Sequence, residues 1–264
     1  VAGLALRVDP SAAEGLVNLG LMRASNGGIL FLNGNGTGSF TNTGGTISAL
    51  TGSEVQLTNG ASIVGGTLST VGTGVFRNLN TTTLSSLTNA GAFTANNATT
   101  TTLNGTILNS GSISISSAGS FTDLILGSDV TLTGSGMLNL VNADRVGGSG
   151  ILTNTSNTIQ GDTNNSGSFG LDQIGIVNQA SGFISANVSG LALTVDPNAT
   201  NGLVNQGTMQ AINGGILLLS GNGGGTFTNT GTIKAFGGTL QFGGTVTSSG
   251  TVDVGADALS VTGS

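Results

Sequence analysis

The chain has 264 residues, of which only 6% are charged; its net charge is −6, and it contains no His, Cys, Trp or Tyr. Eleven acidic residues against five basic ones, all scattered, leave no basic stripe to neutralise phosphates, which excludes nucleic-acid binding. Its aliphatic runs, such as Ile29 to Leu32 and Ile216 to Leu219, fall far short of the roughly 20 residues that span a bilayer, so no membrane insertion is expected.

A hydrophobic content of 37% and a mean hydropathy of +0.29 supply enough apolar material for a core. The 48 glycines punctuate short apolar runs throughout and so mark turns, not a linker. Lack of cysteine suits exported bacterial proteins as well as cytosolic ones, because an unpaired thiol is a liability in an oxidising compartment.

Taken from the beginning, residues 4–44 form a unit that returns at 191–231 without a gap. The offset is 191 − 4 = 187, and 12 differences over 41 positions leave 41 − 12 = 29 identities. Inside this unit lies a shorter pattern: apolar, x, Asn, x, Gly, x, apolar. It occurs at Asn18, Asn89, Asn109, Asn205 and Asn229, and in relaxed form at Asn42 and Asn178. Most gaps between these asparagines approximate one, two or three units of about 20–27 residues, the period of a solenoid whose coils bury their apolar faces only against their neighbours. About twelve coils are predicted.

Thr, Ser and apolar residues alternate with period two in segments such as SGSISIS and TFTNTGTI, so the coils are predicted to be strands. The seven asparagines are expected at corners, stacked so that their amides bond from coil to coil. Asn and Gly there are expected for their tolerance of positive φ, as are the pairs Gly27-Gly28, Gly214-Gly215 and Gly237-Gly238 that mark a second corner. Phe40, Phe227, Leu16 and Leu203 each sit two residues before a motif asparagine and are expected to point inward, and the ten phenylalanines are read as stacked core. Residues 60 to 86 and 140 to 175 fit the pattern poorly.

The segments GLVNQGTM, FTNTGTI, GGTLQF and NTIQG resemble the repeats of large bacterial surface and autotransporter-type passenger proteins. The resemblance implies a right-handed parallel β-helix like that of filamentous haemagglutinin, here one continuous solenoid over residues 1–264. It also implies an extracellular or cell-surface location and a structural or adhesive role, with a surface glycan or host molecule as ligand. VAGLALRV at the start and VDVGADALSVTG at the end alternate as ordinary strands with no cap, so head-to-tail self-association or further repeats are expected beyond them.

Two competing functions follow from single features. Parallel β-helices include polysaccharide-cleaving enzymes, which makes Asp123, Asp129, Asp144 beside Arg145, and Asp162 with Asp172 the acidic candidates. Asp is also a favoured turn residue, no aromatic sugar platform accompanies these, and no catalytic residue is assigned. Threonine runs at Thr81 to Thr83 and Thr99 to Thr102 raise an ice-binding array, which must continue over consecutive coils to work. GNGTGS near Gly34 and GNGGGT near Gly221 lack the GK[ST] of a phosphate loop and read as turns. GGSGIL at Gly147 has Leu152 where a calcium-binding nonapeptide needs Asp, so no cofactor or metal set is expected beyond an isolated ion at an Asp-bearing turn.

Overall fold

The structure, a computed structural model, describes residues 3–35, 38–142, 144–163, 167–255 and 257–261. It is an all-β parallel solenoid of about eleven turns. Each coil contributes a short strand to each of three faces. The first face is a twelve-stranded sheet that starts with Ala5–Val8, Ile29–Asn33 and Glu54–Thr58 and ends with Thr251–Asp253. The second starts with Leu16–Val17 and Ser39–Thr41, and the third with Leu21–Ala24 and Thr46–Ala49. The second and third faces join into one sheet because two long strands, Thr100–Asn109 and Thr122–Thr133, run around the corner between them.

Alternation explains the core. Along Glu54–Thr58, Val55 and Leu57 are buried while Glu54, Gln56 and Thr58 lie at the surface, and in-register pairing stacks like on like: Leu30 on Val55, Val55 on Phe76, Phe76 on Phe93. Phe40, Phe76, Phe93, Phe169 and Phe227 are fully buried. Four phenylalanines depart from the expected stacked core: Phe31 lies on the outward side of its strand in register with Arg7 and Gln56, Phe121 and Phe183 are partly exposed, and Phe236 is 79% exposed. Each occupies an outward or corner position, where the pleat gives an apolar residue nothing to pack against.

Coils are shorter than expected at the low end. Ile29 pairs with Glu54, a coil of 54 − 29 = 25 residues, but Phe76 pairs with Phe93, a coil of 93 − 76 = 17. Apart from Thr100–Asn109 and Thr122–Thr133 every strand has two to five residues, so the corners absorb most of the variation.

The long duplication is rotated. Ala5–Val8 lies on the first face, whereas its copy, Ala192–Val195, lies on the second and pairs with Ile216–Leu219. Likewise Phe40 is on the second face and its copy Phe227 on the third. The second copy therefore begins eight coils and one face after the first, and the same residues build whichever face they reach.

Phe227 stacks directly between Leu203 and Val246, while Thr228 points to solvent. Phe227→Ala is expected to cost on the order of 3–5 kcal/mol in urea denaturation, and Thr228→Ala less than about 0.5 kcal/mol.

Candidate functional site

All seven motif asparagines are buried, and their amides run along the axis in separate ladders. At the corner between the second and third faces, Asn18 Nδ2 donates to Asn42 Oδ1 at 2.6 Å and Asn42 Nδ2 to the Gly65 carbonyl at 3.4 Å. At the corner between the third and first faces, Asn89 donates to Asn109 at 2.8 Å and Asn109 to Asn157 at 2.8 Å. Farther along the same corner, Asn154, Asn178, Asn205 and Asn229 form an unbroken run at 2.9, 2.8 and 2.7 Å that ends on Ser248 Oγ. Asn154 and Asn157 were not anticipated. LTNTSNTI offers the right spacing only if Ser156-Asn157 is allowed to stand where the pattern has glycine.

None of the seven has positive φ, in contrast to the expectation. Their selection rests on hydrogen bonding: Asn205 Nδ2 also reaches the Gly207 and Thr232 carbonyls at 3.2 and 3.1 Å, adding a side-chain donor to the corner where the Thr232 N–H already bonds the Gly207 carbonyl. The motif glycines serve close approach, since a Cβ at Gly231 would collide with the Gly207 carbonyl of the preceding coil. Positive φ is used at the other corner, where Asn213 and Gly214 have φ of 55° and 78°. Because Asn205 accepts from one coil and donates to the next, Asn205→Ala strands two buried partners and is expected to cost about 3 kcal/mol, read as a fall in thermal midpoint.

The acidic candidates divide differently from their order in sequence. Arg145 Nε and Nη2 donate to Asp123 Oδ1 and Oδ2 at 2.6 and 2.7 Å, and its guanidinium lies 4.2 Å from the Phe121 ring centroid. Asp129 Oδ1 accepts from the Ile151 N–H at 2.9 Å. Asp144, adjacent to Arg145 in sequence, points the opposite way, because successive strand residues alternate sides. It is 0% exposed, accepting from the Ser117 hydroxyl and from the Val141 N–H at 2.6 Å. Asp162 is buried near it, bonded by the Asn142 N–H at 3.0 Å, and its charge acts on Asp144. Asp172 is exposed and associates not with Asp162 but with Asp196, a residue not anticipated because it reads as part of the duplicated VDP turn.

Burial pushes the Asp144 carboxyl up to about 6, opposed by the hydrogen bonds from Ser117 and Val141 and reinforced by Asp162. The folded chain thus binds this proton more tightly than the unfolded one. The resulting stability is complete below about pH 4 and is lost as pH rises to about 6, on the order of 3 kcal/mol in all. Asp144→Asn is expected to remove that loss, so denaturant titrations at pH 4 and pH 7 should differ by that much less in the variant than in wild type.

Three surface cavities of about 500, 260 and 380 Å³ are lined mainly by Gly, Thr and Leu, and no carboxylate lines any of them. The first is a trough along the second-to-third corner, floored by Gly45, Gly66, Thr67 and Thr88. Thr81, Thr82 and Thr83 pair in register with Thr100, Thr101 and Thr102, but the next coil presents Asp123, Leu124 and Ile125, so the array stops after two coils. The glycine run at Asn222–Gly224 forms one turn of 3₁₀ helix between strands; its counterpart includes Gly36 and Thr37, which lie outside the described residues.

Among the described residues no group of three or more His, Cys, Asp or Glu side chains could hold a metal, and no helix is long and apolar enough to cross a membrane. No family model, curated protein or solved structure matches the chain.

Proposed function

We propose that this chain is a non-catalytic structural or adhesive element of a bacterial cell surface, a stiff spacer of the passenger-protein kind that its repeats resemble. The observation that carries the reading is the unbroken axial stacking: one apolar interior and in-register strand pairing run from the first coil to the last. Such a column resists bending because every coil is bonded to its neighbours along its whole contour. Its outward Thr, Ser, Asn and Gln suit contact with water or a glycan at the cell exterior.

Further coils, from the same chain or from a second copy, would cover the two open edges. Leu6 is 66% exposed on the first coil, whereas its duplicate Leu193, with a coil on each side, is 0% exposed. The first coil has the chemistry of an interior one. A head-to-tail contact between copies is heterologous and does not close, so it would generate a fibre.

The enzymatic alternative rests on the raised Asp144. Its complete burial and its engagement by Ser117 and Val141 favour a structural role instead. Negative-stain microscopy of residues 1–264 is expected to show rods or end-to-end filaments, together with no reducing-end release from a polysaccharide panel. Robust turnover abolished by Asp144→Ala or Asp162→Ala would overturn the reading.

A further inference from the structure

We infer that Asp172 and Asp196 form a binding site for a hard divalent cation, calcium in particular, at the corner between the second and third faces. The two residues lie on successive coils, joined by the Asp172 N–H donating to the Asp196 carbonyl at 2.8 Å. Left-handed backbone at Leu171 and Asp172, φ 53° and 55°, turns the Asp172 carboxylate toward the next coils. There it lies against Gly223, where a Cβ would overlap it and where φ is 64°. Three coils thus converge: Asp172 from one, Asp196 from the next, and the Ser220–Gly224 turn from the third.

The second observation is a buried oxygen with nothing to bond. Asp196 is 7% exposed; the Ser220 hydroxyl and the Asn222 N–H hydrogen-bond its carboxylate, yet Oδ1 has no partner. A buried carboxylate oxygen without a partner, in a residue on which a second carboxylate acts electrostatically, is unfavourable unless a cation neutralises the pair. No side chain supplies one, since the three ion pairs among the described residues engage Asp9, Glu54 and Asp123.

The duplication supplies an internal control. Asp9 is the counterpart of Asp196, and in that copy Arg7 lies 3.7 Å from it. The counterpart of Arg7 beside Asp196 is Thr194. The same turn is docked the same way in both copies, with Gly38 against the Pro10 carbonyl and Gly225 against the Pro197 carbonyl. One copy therefore carries its cation as a side chain. The other has Thr194 in place of the arginine, and a second carboxylate, Asp172, stands on the coil before, the arrangement in which a divalent ion takes over the charge. All available donors are oxygens, and two carboxylates completed by backbone carbonyls and water match calcium, which accepts six to eight such ligands in flexible geometry. Few protein charges place the affinity in the range of extracellular modules, Kd about 0.1–1 mM.

The test measures thermal midpoints in EDTA, in about 10 mM calcium and in about 10 mM magnesium, for wild type, Asp172→Asn, Asp196→Asn and the exposed control Asp253→Asn. Calcium is expected to raise the wild-type and Asp253→Asn midpoints by about 2–4 °C more than magnesium does, and to leave both site variants unmoved. Terbium luminescence excited directly should report one site that calcium displaces and that Asp172→Asn abolishes. Should Asp196→Asn fail to fold, the exposed Asp172→Asn decides alone. The inference is overturned by a wild-type midpoint equal in calcium and EDTA, by equal shifts with both ions, or by a calcium shift that survives Asp172→Asn.

Discussion

A coil of this molecule cannot satisfy its own strands. Each N–H and C=O points along the axis, and only the coil above or below, about 4.8 Å away, can meet it. Stacking must then be residue on residue, and the side chains inherit that register. Phenylalanine lands on Phe or an aliphatic residue inside, as at Phe76 on Phe93, and amide lands on amide at the corners, as at Asn205 on Asn229. The asparagine ladders are the same constraint expressed in side chains. A buried polar side chain at a corner must be satisfied by the coils above and below, and a carboxamide both accepts from one coil and donates to the other.

Since the constraint acts between coils and not around one, it is indifferent to which face a segment occupies. That is why the duplicated unit can reappear one face out of phase and keep its geometry. Leu193 and Leu6 occupy different faces of the prism, yet each pairs in register with an inward leucine of the next coil, Leu217 and Leu30, and the turn at Pro197 is closed by Gly225 as the turn at Pro10 is closed by Gly38. Insertion or loss of a third of a coil costs this architecture only a rearranged corner. The asparagine runs change corner between Asn42 and Asn89 for the same reason.

What sequence reading recovers is whatever the axial constraint repeats. Parallel strands, the inward setting of Phe40 and Phe227 and the burial of the motif asparagines all follow from alternation and period. Three faces do not, because a gap of 89 − 42 = 47 residues reads as two coils when it is two coils and one face. Positions that occur once were also opaque. Asp144 and Arg145 look like a pair in sequence and point to opposite sides of the wall, while Asp144 and Asp162 are brought together by a coil whose length no motif marks. Asp196 was hidden by its membership of the repeat, since nothing local to it announces that Asp172 lies on the coil before. Phe236 obeys the alternation of its strand, with Ile233 and Ala235 inward and Phe236 outward, so only its apolar character, not its setting, misled the reading of all ten phenylalanines as core.

The scarcity of charge follows from the same stacking. Any charged residue placed in an outward column is held about 5 Å from the same column on the next coil, where a like charge costs about 1–3 kcal/mol depending on solvent. Neutral columns escape this and gain bonds: Gln160 donates to Asn139, and Asn139 to Ser114. Where charges do occur on the faces they alternate in sign along the axis: Arg145 is in register with Asp123, Asp253 with Lys234, and Arg77 reaches Glu54. Against that rule the acidic couples stand out, for Asp144 with Asp162 and Asp172 with Asp196 set like charges on adjoining coils. The first is relieved by a proton, held by burial to about pH 6. The second keeps an exposed carboxylate on Asp172 and a buried oxygen without a donor on Asp196, and one divalent ion answers both.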